Sequence, residues 1–332
     1  MPRPRILSGM RPTGALHLGN LMGALDNWVR LQDQYDCFFT IVDWHSLTTD
    51  YADPGPIREN ILEVACDWLA AGLDPSRSTL FIQSLVPEHA ELHLLLSMIV
   101  PVPWLERVPS YKEQQHQLSE KDLSTYGFLG YPLLQTADII IYKADAVPVG
   151  EDQAPHIELS REIVRRFNNF FGPVFPEPQT LLTEAKRIPG TDGRKMSKSY
   201  GNAVYMKDGP EIMGQKIKPM LTDPARKRRT DPGDPDKCPV FDLHRAFSSA
   251  QSQAWAAEGC RTAGIGCLDC KARLIEHMLA RLQDVHARRP EFAERPDTVW
   301  DILLEGSRKA RAVAQVTMDE VRAAMKISYP RP

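Results

Sequence analysis

The chain opens on a short apolar stretch, "RILSG" at residues 5 to 9, which runs into a Pro/Gly turn and reads as a strand. Beyond the turn, "NLMGALDNWVRLQ" sets Leu21, Leu25, Trp28 and Val29 at i, i+4, i+7 and i+8, predicting a helix with one face on a sheet. "CFFTIVDWHSLT" and "STLFIQS" are near-continuous apolar runs, and "IRENILEVACDWLAAGLD" between them has a helical pattern. Apolar runs separated by amphipathic helices predict a parallel sheet covered on both faces, that is, an α/β Rossmann-like doubly wound domain.

From about Tyr200 the pattern changes. Proline and charge enrich in "TDPARKRRTDPGDPDKCPVF", and three helical segments follow: "LHRAFSSAQSQAWAAEG", "KARLIEHMLARLQDVHARR" and "TVWDILLEGSRKARAVAQVTMDEVRAAM". No strand pattern occurs there. The expected organisation is a catalytic Rossmann-like domain over 1–199 and an all-helical domain over 200–297, with the terminal helix 298–332 packing back on the first. A length of 332 residues suits two domains of roughly 100 to 200 residues each.

Composition adds little: 42% apolar, 25% charged and a net charge of −3 are ordinary for a soluble globular chain and do not advertise nucleic acid. The start "MPRPRILSGMRPTG" lacks an apolar core of the secretory kind, and no long uncharged apolar run occurs anywhere, so a cytoplasmic protein without a membrane span is expected.

Two loops carry candidate chemistry. "SGMRPTGALHLGN", residues 8 to 20, joins the first strand to the first helix, where a doubly wound sheet meets phosphates. Its glycines fit neither G-x-G-x-x-G nor the P-loop pattern. What remains is H-x-G-N, in which His17 and Asn20 offer side-chain donors and Gly19 permits close approach to the backbone. "GRKMSKSYGN", residues 193 to 202, sets Lys195 and Lys198 three apart with Ser197 and Ser199 between glycines, so that two ammonium groups and two hydroxyls can meet one polyphosphate. Of six cysteines, Cys37 and Cys66 fall on apolar faces and read as packing. Cys238, Cys260, Cys267 and Cys270 form C-x21-C-x6-C-x2-C, and in a reducing compartment suggest one site for zinc or an iron-sulfur cluster.

H-x-G-N followed much later by an intact K-M-S-K-S resembles the paired signature of class I aminoacyl-tRNA synthetases, with Asn20 in place of that family's final histidine. "YPLLQTADIIIYKADAVPVGEDQAPHIELSREI", residues 131 to 163, resembles the shared core of the tyrosyl and tryptophanyl enzymes. There Asp138 is the candidate acid for the substrate side chain. It stands seven residues after Tyr131, two helical turns on, with Gln135 between. "VDWHSLTT", "LFIQS", "PGTDGRKMSKSYGN" and "EGSRKARAVA" extend the likeness, in order, to the bacterial tryptophanyl-tRNA synthetase family.

That resemblance implies a tryptophan pocket of Leu7, Gly9, His45, Tyr131, Gln135, Asp138, Val149 and Gln153. It implies an ATP site of Arg11, Pro12, Thr13, His17, Gly19, Asn20, Gly150, Glu151, Asp152, Ile188, Lys195, Met196, Ser197, Lys198 and Ser199, with Lys195, Lys198, His17 and Asn20 acting in catalysis. L-tryptophan, ATP with Mg2+ and tRNA(Trp) are the implied substrates, and a homodimer the implied assembly. The cysteine spacing resembles the subset with a 4Fe-4S cluster, zinc being the alternative. The basic run "ARKRR", residues 225 to 229, with Lys237 and Lys271, would suit tRNA phosphates in an anticodon-binding domain. A tyrosyl-tRNA synthetase, and a paralogue or nucleotidyltransferase that activates an amino acid without charging tRNA, are the alternatives.

Overall fold

A computed structural model of the chain describes residues 3–109, 111, 122–182 and 188–329; the last three residues of the expected terminal helix lie outside that set. Five parallel strands, β1 (Arg5–Met10), β2 (Asp36–Ile41), β3 (Ser78–Ile82), β4 (Ala146–Val149) and β5 (Gln179–Leu182), form one sheet in the order β3-β2-β1-β4-β5. Side chains alternate between its faces. Ile6, Cys37, Phe39, Ile41, Leu80 and Ile82 enter one apolar cluster, while Leu7, Phe38 and Phe81 enter the other. Both faces are therefore buried, and the doubly wound α/β class expected from the apolar runs is the observed one.

Two segments differ from the simple pattern. In "NLMGALDNWVRLQ" the residues Leu18–Asn20 and Asp26–Leu31 are α-helical, but Leu21–Leu25 between them forms a wider turn with i to i+5 bonding. Leu21, Leu25 and Trp28 are still buried, Trp28 stacking on Phe39 with ring centres 4.6 Å apart. The run "CFFTIVDWHSLT" divides: the strand stops at Ile41, and Asp43–Asp50 is a helix whose first turn carries Asp43, accepting the N–H of Ser84.

Beyond residue 200 the regular elements among the described residues are all helices, joined by loops such as 201–209 and 218–234. The long helix Cys267–Ala293 packs along the helix Ile57–Ala71, and Leu274, Met278, Leu282 and Val285 join the same apolar cluster as Ile6 and Phe39. The last helix, Pro296–Ala324, lies on β3, the edge strand. An uncovered edge strand would present unpaired backbone groups. Here Ser307 Oγ accepts the Ile82 N–H at 3.2 Å, and Gly306 sits so near that a Cβ would fall 1.8 Å from the Leu80 carbonyl oxygen. Gly306→Ala is therefore expected to destabilise the protein by about 1–3 kcal/mol through overpacking; a denaturant titration would show a lowered midpoint, and an unchanged midpoint would contradict this contact.

Candidate active site

The chain builds β1, β2 and β3 to one side and then crosses to place β4 on the other side of β1, so the strand order reverses between β1 and β4. Doubly wound sheets bind ligands at such a reversal, beyond the carboxyl ends of the strands. β1 pairs with β2 at six positions but with β4 at one, Ile6 against Ala146. Pro148 supplies a reason for the parting. Its carbonyl accepts Ser8 Oγ at 3.5 Å and so faces β1, but its ring nitrogen has no N–H with which to continue the ladder. The strands separate, and a cavity of about 350 Å³ opens between them.

Leu7, Gly9, His45, Tyr131, Gln135, Asp138, Val149 and Gln153, the eight residues expected around the amino-acid side chain, all line this cavity. So do Gly23, Ala24 and Trp28, delivered by the wide turn Leu21–Leu25 and the helix after it. Space is tight at Gly9, where a Cβ would stand 2.9 Å from the Thr40 side chain.

Asp138 forms the polar end. Its carboxylate is buried yet receives donors from three side chains on three elements: His45 Nε2 at 2.8 Å, Gln83 Nε2 at 2.8 and 2.9 Å, and His89 Nδ1 at 2.5 Å. Gln83 is oriented in turn, since its Oε1 accepts the Trp44 N–H at 3.2 Å. With His89 Nδ1–H donating to Asp138, Nε2 is the acceptor for the Tyr142 hydroxyl at 2.6 Å. Burial alone would raise the Asp138 carboxyl, but hydrogen bonds from His45 and His89 hold it well below the usual carboxylate range. Burial pushes the Tyr142 phenol the other way, well above its ordinary value, so Tyr142 remains a donor. Gln83, His89 and Tyr142 had no role in the sequence reading: Gln83 and His89 lie 55 and 49 residues from Asp138, and Tyr142, four residues after it, joins the cluster through His89.

The first signature loop borders the cavity through Ser8, Gly9, Met10 and Arg11, and the second is joined to it through Lys198. His17 caps the turn Leu18–Asn20: its Nδ1 accepts the Asn20 N–H at 3.2 Å, while Asn20 Oδ1 accepts the His17 N–H at 3.1 Å. The oxygen of Asn20 is thus committed, leaving its Nδ2 and His17 Nε2–H as outward donors. Gly19 is required because a Cβ there would lie 2.9 Å from the His17 ring. Burial, then the charge of Lys198, holds His17 down to about 4, so the ring is neutral at pH 7.

Lys198 Nζ lies across the first loop, donating to Thr13 O at 3.0 Å, Thr13 Oγ1 at 3.1 Å and Gly14 O at 2.8 Å; burial lowers it to about 8. The K-M-S-K-S loop is shaped by Asn202, a buried residue the sequence reading passed over. Its Oδ1 accepts the Ser197 N–H at 2.8 Å, and its Nδ2 donates to Asp192 Oδ1 at 2.7 Å and Lys195 O at 3.2 Å. Ser197 and Ser199 hydroxyls are 2.9 Å apart.

Other expected nucleotide residues are placed less uniformly. Thr13, Glu151 and Asp152 are exposed and Pro12 is buried; Gly150 lines the cavity at the start of the turn leading into the helix Ala154–Phe171. Ile188 and Met196 pair through the Met196 N–H and the Ile188 carbonyl at 3.2 Å, with both side chains in the apolar core. Arg11 lines the cavity, but its guanidinium donates to Thr49 and, at 3.1 Å, to Asp50 on the neighbouring helix.

The four remaining cysteines collect at helix ends: Cys238 before the helix Pro239–Phe247, Cys260 in the last turn of Ala250–Arg261, and Cys267 and Cys270 in the first turn of Cys267–Ala293. Burial, then the other three thiols, pushes Cys270 up to about 12, and its Sγ lies 3.3 Å from His244 Nε2. The donor chemistry suits a soft metal, but among the described residues no three His, Cys, Asp or Glu side chains are arranged as a closed metal cage. Cys37 and Cys66 are buried in the core.

Sheet order, reversal-point cavity and paired loops define a class I tRNA synthetase, and the family model described as "tRNA synthetases class I (W and Y)" matches residues 2–283. The tryptophan–tRNA ligase of Thermotoga maritima is 53% identical, with 98% of this chain and 100% of that protein aligned. The tryptophan–tRNA ligase of Ralstonia nicotianae is 48% identical over 98% of this chain and 99% of that one. Among solved structures, tryptophanyl-tRNA synthetase from Campylobacter jejuni, complexed with ADP and tryptophan, superposes with a TM-score of 0.87 at 32% identity, covering 97% of this chain and 99% of that one. The chain belongs to the bacterial tryptophanyl-tRNA synthetase family of aminoacyl-tRNA ligases. No described helix is long and apolar enough to cross a membrane.

Proposed function

We propose that the chain joins L-tryptophan to tRNA(Trp) in two steps at the cavity between β1 and β4. The observation that carries this reading is a cavity lined at one end by an ionised, buried acceptor, Asp138, and bordered by the first signature loop through Gly9, Met10 and Arg11, with the second loop joined to the first by Lys198. The indole N–H is the donor that Asp138 would take. His45, which lines the cavity and occupies Asp138 Oδ2, is the group that must share that oxygen or turn away. Gln135 and Gln153 on the cavity wall would hold the ammonium and carboxylate of the amino acid.

In the first step a tryptophan carboxylate oxygen attacks the α-phosphorus of ATP, which arrives as its magnesium salt; the bond to the bridging oxygen breaks and pyrophosphate leaves. The carboxylate is already ionised, so no side chain need remove a proton. The protein's part is positioning and stabilising charge on the leaving group. Lys195 and Lys198 supply positive charge. Neutral His17 donates from Nε2, and Asn20 from Nδ2, without adding charge repulsion between loop and lysines. Lys198 must give up its bonds to Thr13 and Gly14 to reach a phosphate. In the second step the terminal ribose hydroxyl of the tRNA attacks the acyl carbon and AMP leaves. Residues 1–199 would house this chemistry, with the terminal helix 298–332 packed on them, while 200–297 would meet the anticodon through the exposed Lys227, Arg228 and Arg229 of the basic run 225 to 229, Arg226 being buried against the carbonyls of Arg229 and Ile265.

The four-cysteine region is read as holding a 4Fe-4S cluster, or zinc, as a structural clamp, which would draw the four thiols into a cage and take no part in the reaction. The homodimer is part of the same reading. Two measurements test these proposals. Lys195→Ala should slow tryptophan-dependent exchange of pyrophosphate into ATP by roughly 10² to 10³ while calorimetric tryptophan affinity stays near that of the wild type; an unchanged exchange rate would remove Lys195 from its role. Purified without oxygen, the full chain should migrate as a dimer and carry iron and visible absorption that Cys267→Ser abolishes. A colourless protein with stoichiometric zinc would reverse the choice of metal, and a monomer would dispose of the assembly.

A further inference from the structure

The helix Cys267–Ala293 carries His286 and Arg289, three apart and so on one face. Both reach to the loops of the nucleotide site. Arg289 Nε donates to Asp67 Oδ1 at 2.7 Å, and Asp67 Oδ2 accepts the N–H of Leu16, the residue before His17, at 2.6 Å. Asp67 belongs to the helix Ile57–Ala71 and is fully buried. His286 Nε2 donates to the Met206 carbonyl at 2.9 Å, and the Met206 N–H donates to the Leu16 carbonyl at 2.9 Å. The Leu18 N–H then donates to the Val204 carbonyl at 2.9 Å, so that residues 16–18 and 204–206 are bridged about His17 and Tyr205. Arg289 extends further through Nη2 to Glu63 Oε2 at 2.7 Å, which also receives Lys207 Nζ at 2.8 Å.

We propose that His286 and Arg289 are positioning residues for ATP: they set the register between the loop carrying His17 and the segment that leaves the K-M-S-K-S loop. The inference rests on reading those loops as the ATP site. Catalysis by positioning is sensitive to shifts of a fraction of an ångström. One turn of one helix holds both sides of the bridge, His286 through Met206 and Arg289 through Asp67 and Leu16. A displacement of that turn moves the two loops together, whereas loss of either contact leaves their register to the two backbone bonds between residues 16–18 and 204–206 alone. Neither residue lines the cavity, so neither touches the amino acid. The same helix begins at Cys267, about 28 Å from His286 at 1.5 Å per residue, so one element runs from the cysteine region to the signature loops.

Three variants of the full chain test this. Arg289→Lys keeps a positive charge beside Asp67 but cannot span Asp67 and Glu63 together. His286→Ala removes the donor to Met206, and His286→Gln restores one. In pyrophosphate exchange at saturating tryptophan, Arg289→Lys and His286→Ala should raise the KM for ATP by about tenfold, with the KM for tryptophan unchanged and His286→Gln close to wild type. Calorimetry with a non-hydrolysable ATP analogue should show the same weakening. If the variants instead lost folded protein or kcat with both KM values unchanged, or raised both KM values equally, the positioning role would be overturned. A wild type that exchanged with no amino acid would defeat the proposed function, yet the analogue affinities of the variants would still decide this inference.

Discussion

The structure around the cavity turns on one buried charge. The Asp138 carboxylate lies where an uncompensated anion would be strongly destabilising, and it is tolerated because three side chains donate to it. Those donors arrive from separate elements. His45 comes from the helix after β2, Gln83 from the end of β3, and His89 from the helix Glu88–Ser97. Asp138 itself rides on the helix Tyr131–Ile140. The requirement to satisfy one carboxylate therefore draws the carboxyl ends of two strands and three helices to a point beside the β1–β4 gap. A network so fully occupied is rigid, and it meets the cavity where His45 covers Asp138.

The second constraint is the gap itself. A parallel ladder between β1 and β4 would close the sheet where the cavity now opens; the proline in "AVPV" prevents it after one pair. The two signature loops lock to each other through Lys198, Leu16 and Met206, so the loops proposed to hold the nucleotide are organised by backbone bonds and by a long helix from the far half of the chain. The cavity and the signature loops are thus built by different means, a buried polar cluster for one and bridged backbone for the other.

Much of this was legible in the sequence because it is local. Apolar runs of strand length gave the parallel sheet, and the seven-residue spacing of Tyr131 and Asp138 put both on the cavity wall. The wide turn at Leu21–Leu25 was hidden because its apolar positions are those a regular helix would also use. β4 was hidden by its length of four residues and its internal proline. Gln83, His89, Tyr142, Asp67 and Arg289 were beyond reach for one reason: each acts on a partner tens to hundreds of residues away, and no spacing rule carries that information. Ile188 and Met196 fall in the recognised motif region, yet their side chains serve the core, so a motif position does not by itself make a ligand contact. The cysteine spacing was plain, whereas the closeness of the thiols depends on three helix ends meeting.

The central claim is that the oriented, ionised Asp138 reads the indole N–H. Its most direct test is equilibrium binding of L-tryptophan to the wild-type protein against the isosteric analogue in which sulfur replaces the indole N–H. The account predicts that the analogue binds at least about a hundredfold more weakly, because a buried acceptor then faces a group with no donor. Equal affinity for the two ligands would contradict it.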